Sequence, residues 1–452
     1  MAFFVHSCSA QNHLDMEGVA LRLFGTMKTN ELNHLEIGGC DVVELAKEHG
    51  TPLYVMDETL IRENMKLFKK HFVSEKLDCR VVYASKAFLN MAICRIAMEE
   101  GLGIDAVSAG ELHTSIRAGF PKENIYMHGN NKTVQELEMA VSEGVGRIVV
   151  DNLDEVEALK RMTEDNKLKA DVLVRLNPGV TAHTHQYIQT SKHDSKFGES
   201  IYGRKIFEVI KGILESPAIN LHGFHCHIGS QINDEDPFFE AVSVMADFIK
   251  VVEERTGYKT MELNLGGGFG VYYSGEDSPI KLSDFMGRLV GHIEEKIERN
   301  ELSVNRVVIE PGRAIVGNAG ITLYSVGGIK ETYGGKNYIF VDGGMADNPR
   351  TALYDACYEA AIANRINEIA NERYTIAGKC CESGDIIIRD IELPEARKGD
   401  LIAVFTTGAY NYSMSSNYNR LARPAVVFAS EGKSRVTVKR ETLDDLIRND
   451  II

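Results

Sequence analysis

The chain has 452 residues, 44% hydrophobic and 25% charged, an ordinary composition for a soluble globular protein and enough chain for two domains with their own cores. Its 65 acidic and 50 basic residues give a formal net charge of −15, which argues against nucleic acid or an anionic membrane as partner. The eight cysteines form no CxxC or metal-finger spacing, and no apolar run reaches the roughly 20 residues that span a bilayer. Free thiols in a reducing compartment, the cytoplasm, are expected, without a signal peptide.

The first residues lack clear periodicity, and 1–35 read as an N-terminal extension, with Met27 a more natural start than Met1. PLYVMDE (52–58) is a strand candidate, and 36–60 are expected to contribute to a β domain. A regular alternation follows. RVVYASK (80–86), GIDAVSA (103–109), NIYMHGN (124–130), RIVVDN (147–152), DVLVRLNPG (171–179), NLHGFHCHIGS (220–230), MELNLGGGFG (261–270) and RVVIEPGRA (306–314) read as strands with helical segments between them. Strands this rich in Val, Ile and Leu are buried on both faces, as in parallel sheets. Eight such units predict an α/β fold with a (β/α)8 TIM-type barrel over 61–314. From 315 to 452 strands dominate, predicting a mainly antiparallel β domain, with one helix expected over ALYDACYEAAIANRINEI (352–369).

In such barrels the working residues stand at the C-terminal ends of the strands. Lys86 ends the first strand, His225 and His227 the sixth, Gly266–Gly268 follow the seventh, and Glu310 and Arg313 end the eighth. A lysine alone reads as a solvated strand end, but in this company it reads as a Schiff-base amine. The glycine run reads as a tight turn or a phosphate cradle. It is not a dinucleotide fingerprint, because Val271 stands where the third small residue belongs; GLGIDA (101–106) has the spacing but the reverse order of elements. His225 and His227 share a face, which leaves open a metal-dependent barrel hydrolase, although of the further ligands it needs the eighth strand offers Glu310 and the seventh, with only glycine, offers none. Glu310 is suited to keep a pyridine nitrogen protonated, the condition for carbanion chemistry.

In order, YASKA, FHCHIGSQ, LGGGFG, EPGR, CESGD and TGAY resemble the pyridoxal 5′-phosphate decarboxylases that share an alanine-racemase-like barrel and a β domain. The resemblance covers nearly the whole chain from about residue 36. HTHQYIQTSKHDSKFG (183–198), HIGSQI (227–232) and DNPRTALYDA (347–356) resemble the branch acting on meso-diaminopimelate more than those acting on ornithine, arginine or lysine, which stay the alternative. By position, the resemblance implies that Lys86 carries the cofactor and His227 stacks on its ring. Ser230, Gly267, Gly268, Gly312 and Arg313 would hold the phosphate, with Arg313 also touching substrate, and Glu310 would face the ring nitrogen. Tyr410 would contact cofactor or substrate. Arg350, Tyr354 and Glu382 would bind the distal end of the substrate, and Cys381 would return the proton after carbon dioxide leaves. The doubled Cys380–Cys381 departs from the family pattern, and ESGD aligns Cys381 with the donor. Cys381 and Glu382 would come from the neighbouring subunit of a homodimer. No metal is implied. A cofactor-binding protein without activity resembles the barrel alone, and the β-domain motifs argue against it.

Overall fold

A computed structural model describes residues 21–180, 195–275 and 277–452. The described residues divide into two compact units, one drawn from 62–271 and 278–315 and the other from 21–61, 272–277 and 316–452.

The first unit is the barrel. Its eight strands, in chain order, are Asp78–Tyr83, Gly103–Ala106, Ile125–Met127, Arg147–Val150, Ala170–Asn177, Ile219–Cys226, Glu262–Asn264 and Arg306–Ile309. Every neighbouring pair is parallel, and the eighth strand pairs with the first, Val308 opposite Arg80, which closes the cylinder. Val82, Tyr126, Val149, Leu173 and Val308 form one buried cluster of strand residues inside it, as expected of a packed barrel interior. Helices begin soon after several strand ends because a polar side chain is there to cap them. Asn90, Ser108 and Asn152 each accept a backbone N–H from the first turn, and Thr133 forms a capping box with Glu136, satisfying otherwise orphaned donors.

In the second unit Gly320–Glu331 is the central strand. It pairs antiparallel with Leu53–Asp57, Asn337–Val341 and Leu401–Val404. The unit is mainly antiparallel, with parallel pairings of Ala425–Ser430 on Leu53–Asp57 and of Glu372–Ala377 on Asn337–Val341. Residues 28–41, partly within the expected extension, form a small three-stranded sheet. Met27, Leu35 and Ile37 are buried in the same core as Leu53, Val55, Ile321 and Leu323.

Two expectations are corrected. The helix expected over 352–369 is confined to Arg350–Tyr354; Asp355 ends it at φ 50°, and Ala360–Ile362 pair as a strand with Leu401–Val404. Burial of that strand overrides the helix propensity of its alanines. Cysteines 40, 79, 94, 226, 380 and 381 are free, whereas Cys357 is disulfide-bonded, so the free-thiol expectation fails there. Among the described residues no helix is long and apolar enough to cross a membrane.

Candidate active site

The first strand delivers Lys86 onto a single 3-10 turn, Ser85–Ala87. That turn is pinned from below. The Ser85 backbone N–H donates to Asp105 Oδ1 at 2.6 Å, and its hydroxyl donates to Glu111 at 3.3 Å. Lys86 itself is half-buried, and its charge is felt by Asp105, Glu111 and His227. Burial pushes the Asp105 carboxyl up, with Lys86 and His128 opposing, and its Oδ2 is buried without a hydrogen-bond partner among the described residues.

Glu310, 4% exposed, is held by three side chains from three other strand ends. His128 Nε2 lies 2.9 Å from Oε1, His225 Nε2 lies 3.2 Å from Oε2, and Asn264 Nδ2 donates to Oε1 at 2.7 Å. Burial would raise its pKa, but His128 and His225 outweigh that and hold the carboxyl well below its usual range. Burial drives His225 down to about 3 against the pull of Glu310, leaving a neutral ring that donates Nε2–H. His225, expected as half of a metal pair with His227, therefore serves the carboxylate. His128, His225 and Glu310 do lie close enough together to ligate one ion; in this geometry their ligand atoms satisfy one another.

His227 points elsewhere. The Gly267 N–H donates to its Nδ1 at 3.2 Å, and burial together with Lys86 keeps the ring well below its usual pKa. It is a neutral, flat ring at the barrel mouth. The glycine run owes its composition to backbone contacts: a Cβ on Gly267 would collide with the Glu310 carbonyl, and one on Gly268 (φ +116°) would stand 2.7 Å from the Gly229 carbonyl. Close approach to backbone is the expected reason for glycine here. Gly312 packs in the same way against Ala84. The buried Arg313 donates from Nη2 to Ser230 Oγ at 2.9 Å, joining the sixth- and eighth-strand loops.

The remaining candidates belong to the β unit. Arg350, 6% exposed, donates to Tyr358 Oη at 2.8 Å and lies over the Tyr273 and Tyr358 rings at 4.8 and 5.8 Å. Among the described residues it meets no carboxylate, and Tyr410 adds to the field on it. Tyr354 is half-buried, and Tyr410 sits in the left-handed region at φ 63°, an uncommon conformation for a bulky side chain. Cys381 and Glu382 are exposed, whereas Cys380 is buried and its thiol is pushed up to about 11, mainly by burial. The run 181–194, which carries most of HTHQYIQTSKHDSKFG, lies outside the described residues.

Sequence reasoning missed Asp105, His128, Asn264, Tyr273 and Tyr358. For the first three a signal existed: each is a polar residue at the inner end of an apolar barrel strand.

Three residues before Arg350, a further buried carboxyl makes a testable pH dependence. Burial pushes Asp347 up to about 7, above the roughly 3.9 of an unfolded chain. The folded state then binds a proton that the unfolded state releases, so this group's contribution to stability falls as pH rises from about 4 to 7. Asp347→Asn should flatten that slope, read as a smaller loss of Tm between pH 5 and pH 8 than in the parent protein; an unchanged slope would contradict it.

A closed barrel whose mouth offers a half-buried amine, a flat neutral imidazole, an anionic carboxylate and an Arg–Ser pair is a site for a phosphorylated aromatic aldehyde. The partnerless Asp105 Oδ2 beside that amine fits a further polar group there. The family model for the pyridoxal-binding domain of pyridoxal-dependent decarboxylases matches residues 58–317. A diaminopimelate decarboxylase of Bacillus subtilis is 49% identical over 431 residues, covering 95% of this chain and 98% of that protein. A crystal structure of diaminopimelate decarboxylase from M. jannaschii in complex with L-lysine superposes with a TM-score of 0.86 at 34% identity, covering 94% of this chain and 98% of that one. A lysine/ornithine decarboxylase of Vibrio vulnificus, complexed with putrescine, gives 0.72 at 25% identity, over 86% and 97%. The chain belongs to the diaminopimelate decarboxylase family of pyridoxal-dependent decarboxylases.

Proposed function

We propose that the protein is a pyridoxal-phosphate carboxy-lyase that converts meso-2,6-diaminopimelate to L-lysine and carbon dioxide, the last step of lysine synthesis, as a cytoplasmic homodimer. Lys86 holds the cofactor and later displaces the product. Ser230, Gly267, Gly268, Gly312 and Arg313 hold its phosphate, and His227 lies on its ring. Bound pyridoxal phosphate supplies an electron-accepting ring for the electron pair of the broken carbon–carbon bond. Glu310, kept anionic by His128, His225 and Asn264, keeps a proton on the ring nitrogen. Arg313 and Tyr410 hold the reacting end of the substrate.

The observation that carries the substrate choice is Arg350. Ornithine and lysine end in an ammonium, for which carboxylates suffice. Diaminopimelate ends in an ammonium and a carboxylate, and a dry pocket must pair both. Arg350 is a buried fork whose charge meets only tyrosines among the described residues, and a fork suits a carboxylate. Tyr354 adds a hydroxyl and Glu382 takes the ammonium. A charge-assisted hydrogen bond contributes about 1.5–3 kcal/mol, so Arg350→Ala should raise KM for diaminopimelate about tenfold to a hundredfold while cofactor occupancy, read from absorbance, stays unchanged. Steady-state kinetics check this. An unaltered KM would remove the distal-site assignment, and equal efficiency of the parent protein on ornithine would favour the runner-up activity.

Cys381 and Glu382 are exposed on the β unit, as residues offered to a partner subunit's site would be. Cys381 is the proton donor: its thiol is accessible, whereas Cys380 is buried with a raised pKa. A positioned general acid is typically worth about 10²–10⁴ in rate. Turnover should fall in that range in Cys381→Ala and much less in Cys380→Ala; the reverse order would contradict the assignment.

A further inference from the structure

We propose that Asp385 is a positioning residue that locks together the two loops carrying the distal substrate groups. The proposal rests on the roles assigned above to Arg350, Cys381 and Glu382. Asp385 is 3% exposed. Its Oδ2 accepts the Cys380 N–H at 2.7 Å, and its Oδ1 accepts the Met345 N–H at 2.6 Å. One carboxylate thus bridges the turn that presents Cys381 and Glu382 and the segment that leads into Arg350. Its backbone closes the first loop as well: the Gly378 N–H donates to the Asp385 carbonyl at 3.0 Å, and the Asp385 N–H donates to the Glu382 carbonyl at 3.1 Å.

Two glycines make room for it. A Cβ on Gly344 would stand 2.5 Å from both carboxylate oxygens, and one on Gly378 would collide with Oδ2 and with the Gly344 α-carbon. The slot therefore fits a carboxylate on a one-carbon stem. Further links fasten the loops, among them Lys379 N–H to the Gly343 carbonyl at 2.9 Å, Thr351 Oγ1 to the Ile387 carbonyl at 2.8 Å and the Cys380 thiol with the Ala346 backbone. The Asp385 carboxyl supplies the two shortest of these links, at 2.6 and 2.7 Å, and is the one group that ties both loops through a single side chain. In the dimer proposed above, the first loop serves the partner's site and the second serves the chain's own. A single carboxylate then sets the register of both, and misplacement of a binding group by about 1 Å can cost on the order of a hundredfold.

Asp385→Asn tests this, because an amide keeps one acceptor and turns N–H toward one of the two backbone donors. Three readouts on the pyridoxal-phosphate-loaded full chain are expected to move. Hydrogen exchange should speed up in 343–349 and 378–386 together. Iodoacetamide should label the buried Cys380 at a rate approaching that of Cys381. KM for diaminopimelate should rise and kcat should fall, each about tenfold or more, while cofactor absorbance stays at the parent level. Gly378→Ala, which keeps the carboxylate but wedges it from its slot, should reproduce the pattern, and it decides the matter if the first variant does not fold. Exchange that speeds up in one loop only, or loosened loops with parent-level KM and kcat, would overturn the proposal. If Arg350→Ala is equally silent, the distal-site reading falls with it; if Arg350→Ala raises KM, only the role of Asp385 is lost.

Discussion

Replacing Lys86 with alanine should lower turnover by about 10⁴–10⁶, the scale seen when a side chain at the centre of covalent catalysis is removed. Lys86 stands on a turn held by Asp105 and Glu111, half-buried at the mouth of a closed barrel, so its amine is presented in one place and partly stripped of water. Borohydride reduction of the loaded parent protein should fix a phosphopyridoxyl mass on the peptide containing Lys86, and Lys86→Ala should take up none there. Turnover within tenfold of the parent, or a label on another lysine, would contradict the assignment.

Glu310→Gln should keep the cofactor and lower kcat by about two to three orders of magnitude, the usual consequence of deleting one preorganised electrostatic partner. The carboxylate is anionic because His128, His225 and Asn264 all face it. An amide in its place removes the negative charge and sets one N–H against these groups. Since the phosphate and amine contacts lie on other residues, occupancy read from absorbance should change little while the rate collapses. Parent-level turnover would remove the electron-sink role from Glu310.

The barrel was legible because its eight strands are short runs rich in Val, Ile and Leu that alternate with helical segments. In the β unit the small sheet over 28–41 was not read, because its strands are only two or three residues long, and Ala360–Ile362 was misread, because alanine-rich sequence favours a helix and pairing with Leu401–Val404 decides otherwise. Lys86, His227, Glu310 and Arg313 could be named because strand ends in a barrel share one face. The environment that tunes them could not. His128 meets Glu310 across 182 residues of sequence and Asn264 across 46, and closure of the cylinder alone brings them together. The role of His225 changed for the same reason: alternation places it on the same face as His227, but the carboxylate opposite it decides what it binds. The glycine run was read as a tight turn or a phosphate cradle, and the sequence could not show that Gly267 and Gly268 are required by neighbouring backbone.

The activity itself is tested most directly by incubating the purified protein with pyridoxal phosphate and meso-diaminopimelate and measuring both products. One carbon dioxide per L-lysine is expected, with kcat/KM for ornithine and arginine at least roughly tenfold lower, since neither has a distal carboxylate to pair with Arg350. Carbon dioxide without lysine, or ornithine or arginine consumed as efficiently as diaminopimelate, would contradict it.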